Sequence, residues 1–195
     1  MLTYNSSWMF KLDHVHCYSF SKKVFTVDEC HKIIELSDKY KKFDGTITGK
    51  NKIEKQIRDS DISWIFPDQD SDWIFKRLVD SVNYMNDKFF KFDVYGFVEG
   101  LQFTHYKAPS GHYGKHVDNA FNNVTRKLSL TVQLSDPKDY DGGDLNFYTG
   151  SKPTTADKEQ GMIYLFPSYI LHEVTPVTRG ERKSLVGWIT GPSFK

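Results

Sequence analysis

The hydrophobic pattern changes period once along the chain, near Phe92. Before it, apolar residues recur mainly at helical spacing. After it, they come in short runs divided by Gly, Pro, Asn and Asp. Thr26-Val-Asp-Glu29 has the form of a capping box and predicts a helix to about Lys41. Cys30, Ile33, Ile34 and Ser37 share one face of it, and the lysines lie elsewhere. A second helix, capped by Ser71 or Asp72, is predicted from the spacing of Phe75, Leu78, Val79, Val82 and Met85. Residues 43–60 carry Gly45, Gly49 and many charges and read as an exposed connection. Ser63–Phe66 reads as a short strand closed by Pro67-Asp68, and Met9, Phe10 and Val15–Phe20 as one or two more.

The second half predicts strands at Phe92–Val98, Leu101–Lys107, Lys127–Leu134, Leu145–Tyr148, Met162–Phe166, Leu171–Val174 and Ser184–Thr190. Leu128, Leu130, Val132 and Leu134 alternate cleanly. Pro109-Ser-Gly111 reads as a turn and Asn119–Asn123 as a polar loop. Two helices followed by short strands predict an α+β fold: a double-stranded β-helix (jelly roll) with N-terminal helices packed on one sheet. The expected organisation is a single domain over 1–195, helical to about 91 and jelly roll from about 92 to 191.

Composition narrows the classes. The 26 Lys+Arg against 25 Asp+Glu give no electrostatic footprint for nucleic acid or a membrane surface. No apolar run has the length of a membrane span, and the first residues lack a signal-peptide layout. With only Cys17 and Cys30, a reducing cytoplasmic location is expected.

Chemistry concentrates at Tyr113-Gly-Lys-His116-Val-Asp118. Residues i and i+2 of an extended segment share a face, so His116 and Asp118 would reach into one space. An imidazole and a carboxylate are two thirds of a 2-His-1-carboxylate metal site, which leaves open positions on iron(II). His172 follows after 53 residues, room for several strands to return the chain to the same cavity. Ten residues further, Arg182 offers a planar fork suited to a carboxylate.

In this order, and in Tyr106, Gly111, Tyr140-Asp-Gly-Gly-Asp-Leu145, Phe166-Pro-Ser168 and His172–Arg182, the chain resembles the 2-oxoglutarate/iron(II)-dependent oxygenases. Within them it is similar to the prolyl 4-hydroxylase group, small bacterial and phage members included. The resemblance covers roughly residues 92–191. It implies His116, Asp118 and His172 as iron ligands and Arg182 as partner of the 5-carboxylate of 2-oxoglutarate. Tyr106, Leu145 and Trp188 match positions that line the cosubstrate pocket. Gln133 falls where some relatives place a hydrogen-bonding tyrosine, so Thr131 or Tyr106 would supply the second contact. Arg179 and Lys183 are expected in solvent, and Arg58 is a looser candidate for substrate contact.

The implied cofactors are Fe(II), 2-oxoglutarate and O2, with ascorbate compatible as a reductant. The implied activity is dioxygenase hydroxylation of a C–H bond, foremost in a peptidyl proline, with release of succinate and CO2. The implied partner is a proline-containing peptide or protein. Oxidation of a free amino acid, small metabolite or nucleobase uses the same metal motif. A non-catalytic cupin-like binder would not need the three ligands together with Arg182. A zinc hydrolase would give no reason for that arginine.

Overall fold

The computed structural model describes residues 16–46, 54–119 and 125–193. Met9, Phe10, Val15 and most of the Asn119–Asn123 loop lie outside the described residues. The first helix, α1 (Val27–Ser37), opens on the capping box: Glu29 N–H donates to Thr26 Oγ1, and Thr26 N–H donates to Glu29 Oε2. It stops before Lys41. From Asp38 to Tyr40 the backbone N–H groups reach back only three residues, tightening the chain into a turn.

The second helix, α2, spans Asp72–Met85. Ser71 precedes it but does not cap it through its side chain, because its hydroxyl donates to Phe66 O and accepts from Asp68 N–H. The buried stripe is Ile74, Phe75, Leu78, Val82 and Met85, whereas Val79, expected on it, is 40% exposed. The stripe is rotated so that Ile74 takes that place.

Phe92–Val98 forms no strand. α2 runs into a single π turn, Asn86–Phe90, which ends at Lys91 with φ of 56°. The Asn86 side chain then clamps both the N–H and the C=O of Phe92. Phe92, Val94 and Phe97 pack on the helical core, and only Gly96 bridges the last strand, at Thr190. The apolar residues thus serve packing without a ladder.

Thirteen antiparallel strands form two sheets among the described residues. Along the large sheet lie β1 (Ser19–Ser21), β11 (Ile163–Pro167), β7 (Arg126–Gln133), β13 (Val177–Thr190), β5 (Leu101–Lys107), β4 (Asp61–Ile65) and β2 (Phe43–Asp44). The short β8 (Tyr140–Gly142) pairs with the start of β13. The small sheet runs β10 (Thr154–Thr155), β9 (Leu145–Phe147), β12 (His172–Val174), β6 (His112–His116) and β3 (Arg58–Asp59). Strands from before residue 66 therefore belong to both sheets. Residues 43–60, expected as an exposed connection, supply β2 and β3, and Arg58 is only 6% exposed. It is drawn inward because β3 pairs with β6, Arg58 opposite Tyr113.

Period-two alternation gives the large sheet two unlike faces. Leu128, Leu130 and Val132 of β7, Ile163 and Leu165 of β11, Leu101 and Phe103 of β5, and Leu185 of β13 pack against α1 and α2. The alternate residues, including Tyr106, Tyr164 and Phe166, meet Tyr113, Phe147 and Val174 of the small sheet. This second interior, between the sheets of the jelly roll, holds the candidate site. No helix among the described residues is long and apolar enough to cross a membrane.

Candidate metal and carboxylate site

Strand pairing brings the two histidines together: His172 of β12 is the direct cross-strand partner of His116 at the end of β6. Asp118 lies just past β6, where its own N–H and that of Asn119 both donate to Ser168 O. The side-chain donors of His116, Asp118 and His172 all lie within 4.8 Å of one another. Each imidazole Nε2 faces a different Asp118 oxygen at 3.6 Å, beyond hydrogen-bonding distance.

Each imidazole is also held in one tautomer. His116 Nδ1 lies 2.7 Å from Gly114 O and His172 Nδ1 2.9 Å from Ile170 O. A carbonyl only accepts, so both Nδ1 atoms carry a proton and both Nε2 lone pairs point at the gap. Burial, reinforced by His172, pushes His116 down to about 3, which keeps it neutral. Burial alone would raise the Asp118 carboxyl, but the histidines, the Ser129 hydroxyl and the Trp188 indole bring it below the usual range. Two imidazole nitrogens and an ionised carboxylate are a donor set that fits iron(II).

The surroundings fix these rings. Tyr113 stacks on His116 with centroids 3.5 Å apart, and the Arg58 guanidinium lies 4.5 Å above Tyr113 on its other side. Among the described residues Arg58 donates to neutral acceptors, Ser60 Oγ, Thr46 O and Gln102 Oε1. Phe166 meets His172 edge-on. Arg126, which the sequence reading passed over, pairs with Glu99 through two nitrogens, covers the Trp188 ring at 3.8 Å and donates to Asp118 O. A strand-edge arginine gives no signal of this until the register is known.

A narrow cavity lies in the same interior, lined by Thr131, Gln133, Leu145, Lys158, Tyr164 and Arg182, among others. Arg182 is 4% exposed, sits opposite Tyr106 on β5, and has its guanidinium 5.5 Å from that ring. Among the described residues it donates a long hydrogen bond to Ser184 Oγ at 3.5 Å. No carboxylate lies within ion-pairing distance of it among the described residues. Lys158, the other cation there, is already held by Asp144 at 2.7 Å. A buried guanidinium without a counter-ion is costly, so the cavity fits an anionic ligand, as 2-oxoglutarate would be. Gly143 (φ 60°) makes room: a Cβ there would lie 3.0 Å from Arg182 Cδ.

The sequence candidates divide between these two places. Trp188 stands by Asp118, on whose carboxyl its indole acts, and Leu145, Gln133 and Tyr106 stand by Arg182. Arg179 is an exposed partner of Asp141, and Lys183 contacts Glu181 at the surface. His105 pairs with Glu181, while His112 bonds the Ser110 and Gln56 carbonyls, both outside the triad.

The comparisons with known proteins agree with this geometry. Residues 101–190 match the family described as the 2OG-Fe(II) oxygenase superfamily. A PKHD-type hydroxylase of Prochlorococcus marinus is 43% identical over 94 residues, covering 47% of this chain and 42% of that protein. Another from Sphingopyxis alaskensis is 41% identical over 86 residues, covering 42% and 39%. The chain thus matches about two fifths of the length of these curated relatives. Among solved structures, a Pseudomonas putida prolyl-4-hydroxylase superposes with TM-score 0.73 at 21% identity, covering 91% of this chain and 94% of that one. A Trichoplax adhaerens prolyl hydroxylase, solved in complex with a hypoxia inducible factor oxygen degradation domain peptide fragment, gives 0.76 at 18%, covering 90% and 84%. The likeness to both is one of fold. The sequence likeness rests on residues 101–190, the stretch that matches the model of the 2OG-Fe(II) oxygenase superfamily.

Proposed function

We propose that the protein is a 2-oxoglutarate- and iron(II)-dependent dioxygenase that hydroxylates a C–H bond in a peptidyl proline, releasing succinate and CO2. The observation that carries this reading is the pairing, in one interior, of a buried His–Asp–His cluster with a buried Arg182 that has no carboxylate partner among the described residues. Iron(II) and 2-oxoglutarate, when bound, would supply the electrons that activate O2, the oxidant, which is chemistry that no side chain offers. His116, Asp118 and His172 would hold the metal from one side and leave its other positions open. Arg182 would take the distal carboxylate with its planar fork. Phe147, Phe166 and Val174 exclude water from the space between. The Arg58–Tyr113 stack holds the His116 ring, and Arg126 holds the backbone of Asp118.

A peptide substrate is supported by the Trichoplax neighbour, which was solved with a peptide fragment. The test is succinate formation by the iron-loaded protein with 2-oxoglutarate, screened against proline-containing peptides, free amino acids, metabolites and nucleobases. Stimulation by a peptide, with an added oxygen atom on its proline, is the expected result. Stimulation by a small molecule alone would move the substrate. Absence of succinate under every condition would remove the oxygenase reading.

A further inference from the structure

Beside Arg182 sits a second buried group whose hydrogen bonding is incomplete. Tyr140, on β8, is 1% exposed. Its phenol oxygen accepts from Gln133 Nε2 at 2.7 Å. Arg182 lies close enough to the same phenol for its charge to favour the ionised form. A guanidinium has no acceptor, so it cannot receive the phenol's proton. Gln133 meets Tyr140 through its NH2, so it does not receive that proton either. No hydrogen bond from Tyr140 O–H is made among the described residues. Burial raises the pKa of this phenol despite the opposing pull of Arg182, so the O–H persists at neutral pH.

The free proton belongs beside the cavity. Gln133, Gly143, Lys158 and Arg182 all line the cavity. Each also adjoins Tyr140: Lys158 lies 5.0 Å above its ring, and a Cβ on Gly143 would stand 3.4 Å from its Cε2. We propose that Tyr140 is the second donor to the distal carboxylate of 2-oxoglutarate, turned toward it by Gln133. This rests on the cosubstrate reading above. It replaces the expectation that Thr131 or Tyr106 makes the second contact. The tyrosine missing at position 133 is thereby supplied from a different strand, and the glutamine in its place fixes the phenol's polarity.

The test is calorimetric binding to the iron(II)-loaded protein without oxygen. Two ligands are compared: 2-oxoglutarate and 2-oxobutanoate, a 2-oxo acid without the distal carboxylate. Tyr140→Phe should raise the Kd for 2-oxoglutarate about 10- to 100-fold, the weight of a hydrogen bond to a charged group. Its Kd for 2-oxobutanoate should stay within about twofold of wild type, since the metal end of the ligand is untouched. Gln133→Glu would take the phenol's proton and add a negative charge, so it should weaken 2-oxoglutarate binding more than Tyr140→Phe does. Gln133→Leu, which only frees the phenol to rotate, should weaken it least. Unchanged 2-oxoglutarate binding by Tyr140→Phe would overturn the assignment. So would equal losses for both ligands, or a Gln133→Glu variant no weaker than Gln133→Leu. A wild-type protein that binds neither ligand would instead sink the cosubstrate reading itself.

Discussion

The large sheet separates two interiors built from the same strands but opposite in chemistry. On the helical side, β7 presents Leu128, Leu130 and Val132 to a dry, aliphatic layer. On the other side, the alternate residues Ser129, Thr131 and Gln133 face the metal gap and the carboxylate cavity. β13 does the same, with Leu185 toward the helices and Arg182 toward the cavity. The first interior stabilises the fold by burying apolar area. The second mixes aromatic residues with polar groups, among them Arg182, which has no carboxylate partner among the described residues. One face is arranged for stability and the other for ligands, and substitutions on the two should fail in different ways.

The sharpest break in that contrast would come from Asp118→Ala. It should lower metal affinity by more than about 100-fold, beyond what loss of an outer-shell partner costs. Turnover should vanish while the thermal midpoint holds or rises, because a buried carboxylate has gone. Equilibrium dialysis with iron(II), together with calorimetry, would read both. A midpoint that collapsed with the activity would mean that the polar interior also carries the fold.

Leu130→Ala is the mirror case. It should destabilise by about 2–5 kcal/mol in denaturant titration, with the remaining folded fraction still binding metal. Arg182→Ala should come next, raising the KM for 2-oxoglutarate about 100-fold without loss of iron. Arg182→Lys should recover part of that, and the surface Arg179→Ala should change little. The smallest effect belongs to neither interior. Thr26→Ala removes the α1 cap and should cost about 1 kcal/mol of stability with binding intact. Arg77, and then the Thr26 N–H, hold the Glu29 carboxyl below its ordinary 4.5. A depressed folded pKa means that Glu29 contributes stability above its unfolded value and loses it as pH falls through the folded one. Glu29→Gln should therefore flatten the stability–pH curve below about pH 4.5, as acid titrations of wild type and variant would measure.

The parts of the site legible in the sequence are those fixed by local spacing or by a recurring motif. His116 and Asp118 share a face because the segment is extended, and the ten residues from His172 to Arg182 lead from β12 directly into β13. The strand limits Leu101–Lys107 agree with the sequence reading because Gly100 and the Pro109 turn bound the run. Arg58, Arg126 and Tyr140 were not legible as a group. Their environments are made by pairings between distant segments, β3 with β6 and β8 with β13, and a charged residue in a polar stretch gives no sign of burial. Phe92–Val98 misled for the opposite reason. Phe92 and Phe97 do face a core, but Asn86 takes the backbone N–H and C=O of Phe92, and the segment meets the last strand only around Thr190 among the described residues. Val79 and Ile74 differ by less than two turns of one helix, and only the packed partner decides which is covered.

The direct pairing of His172 with His116 has a topological consequence. β12 is three residues long, and the strands beside it in the small sheet are short, so few ladder bonds close that side of the jelly roll. An ion gripped by both histidines would act as a rivet across the seam, closing the long chain loop between them as a cross-link does. The empty protein would then breathe first at this seam and the loaded one last, so that occupancy of the centre would set how readily the jaw of the barrel opens.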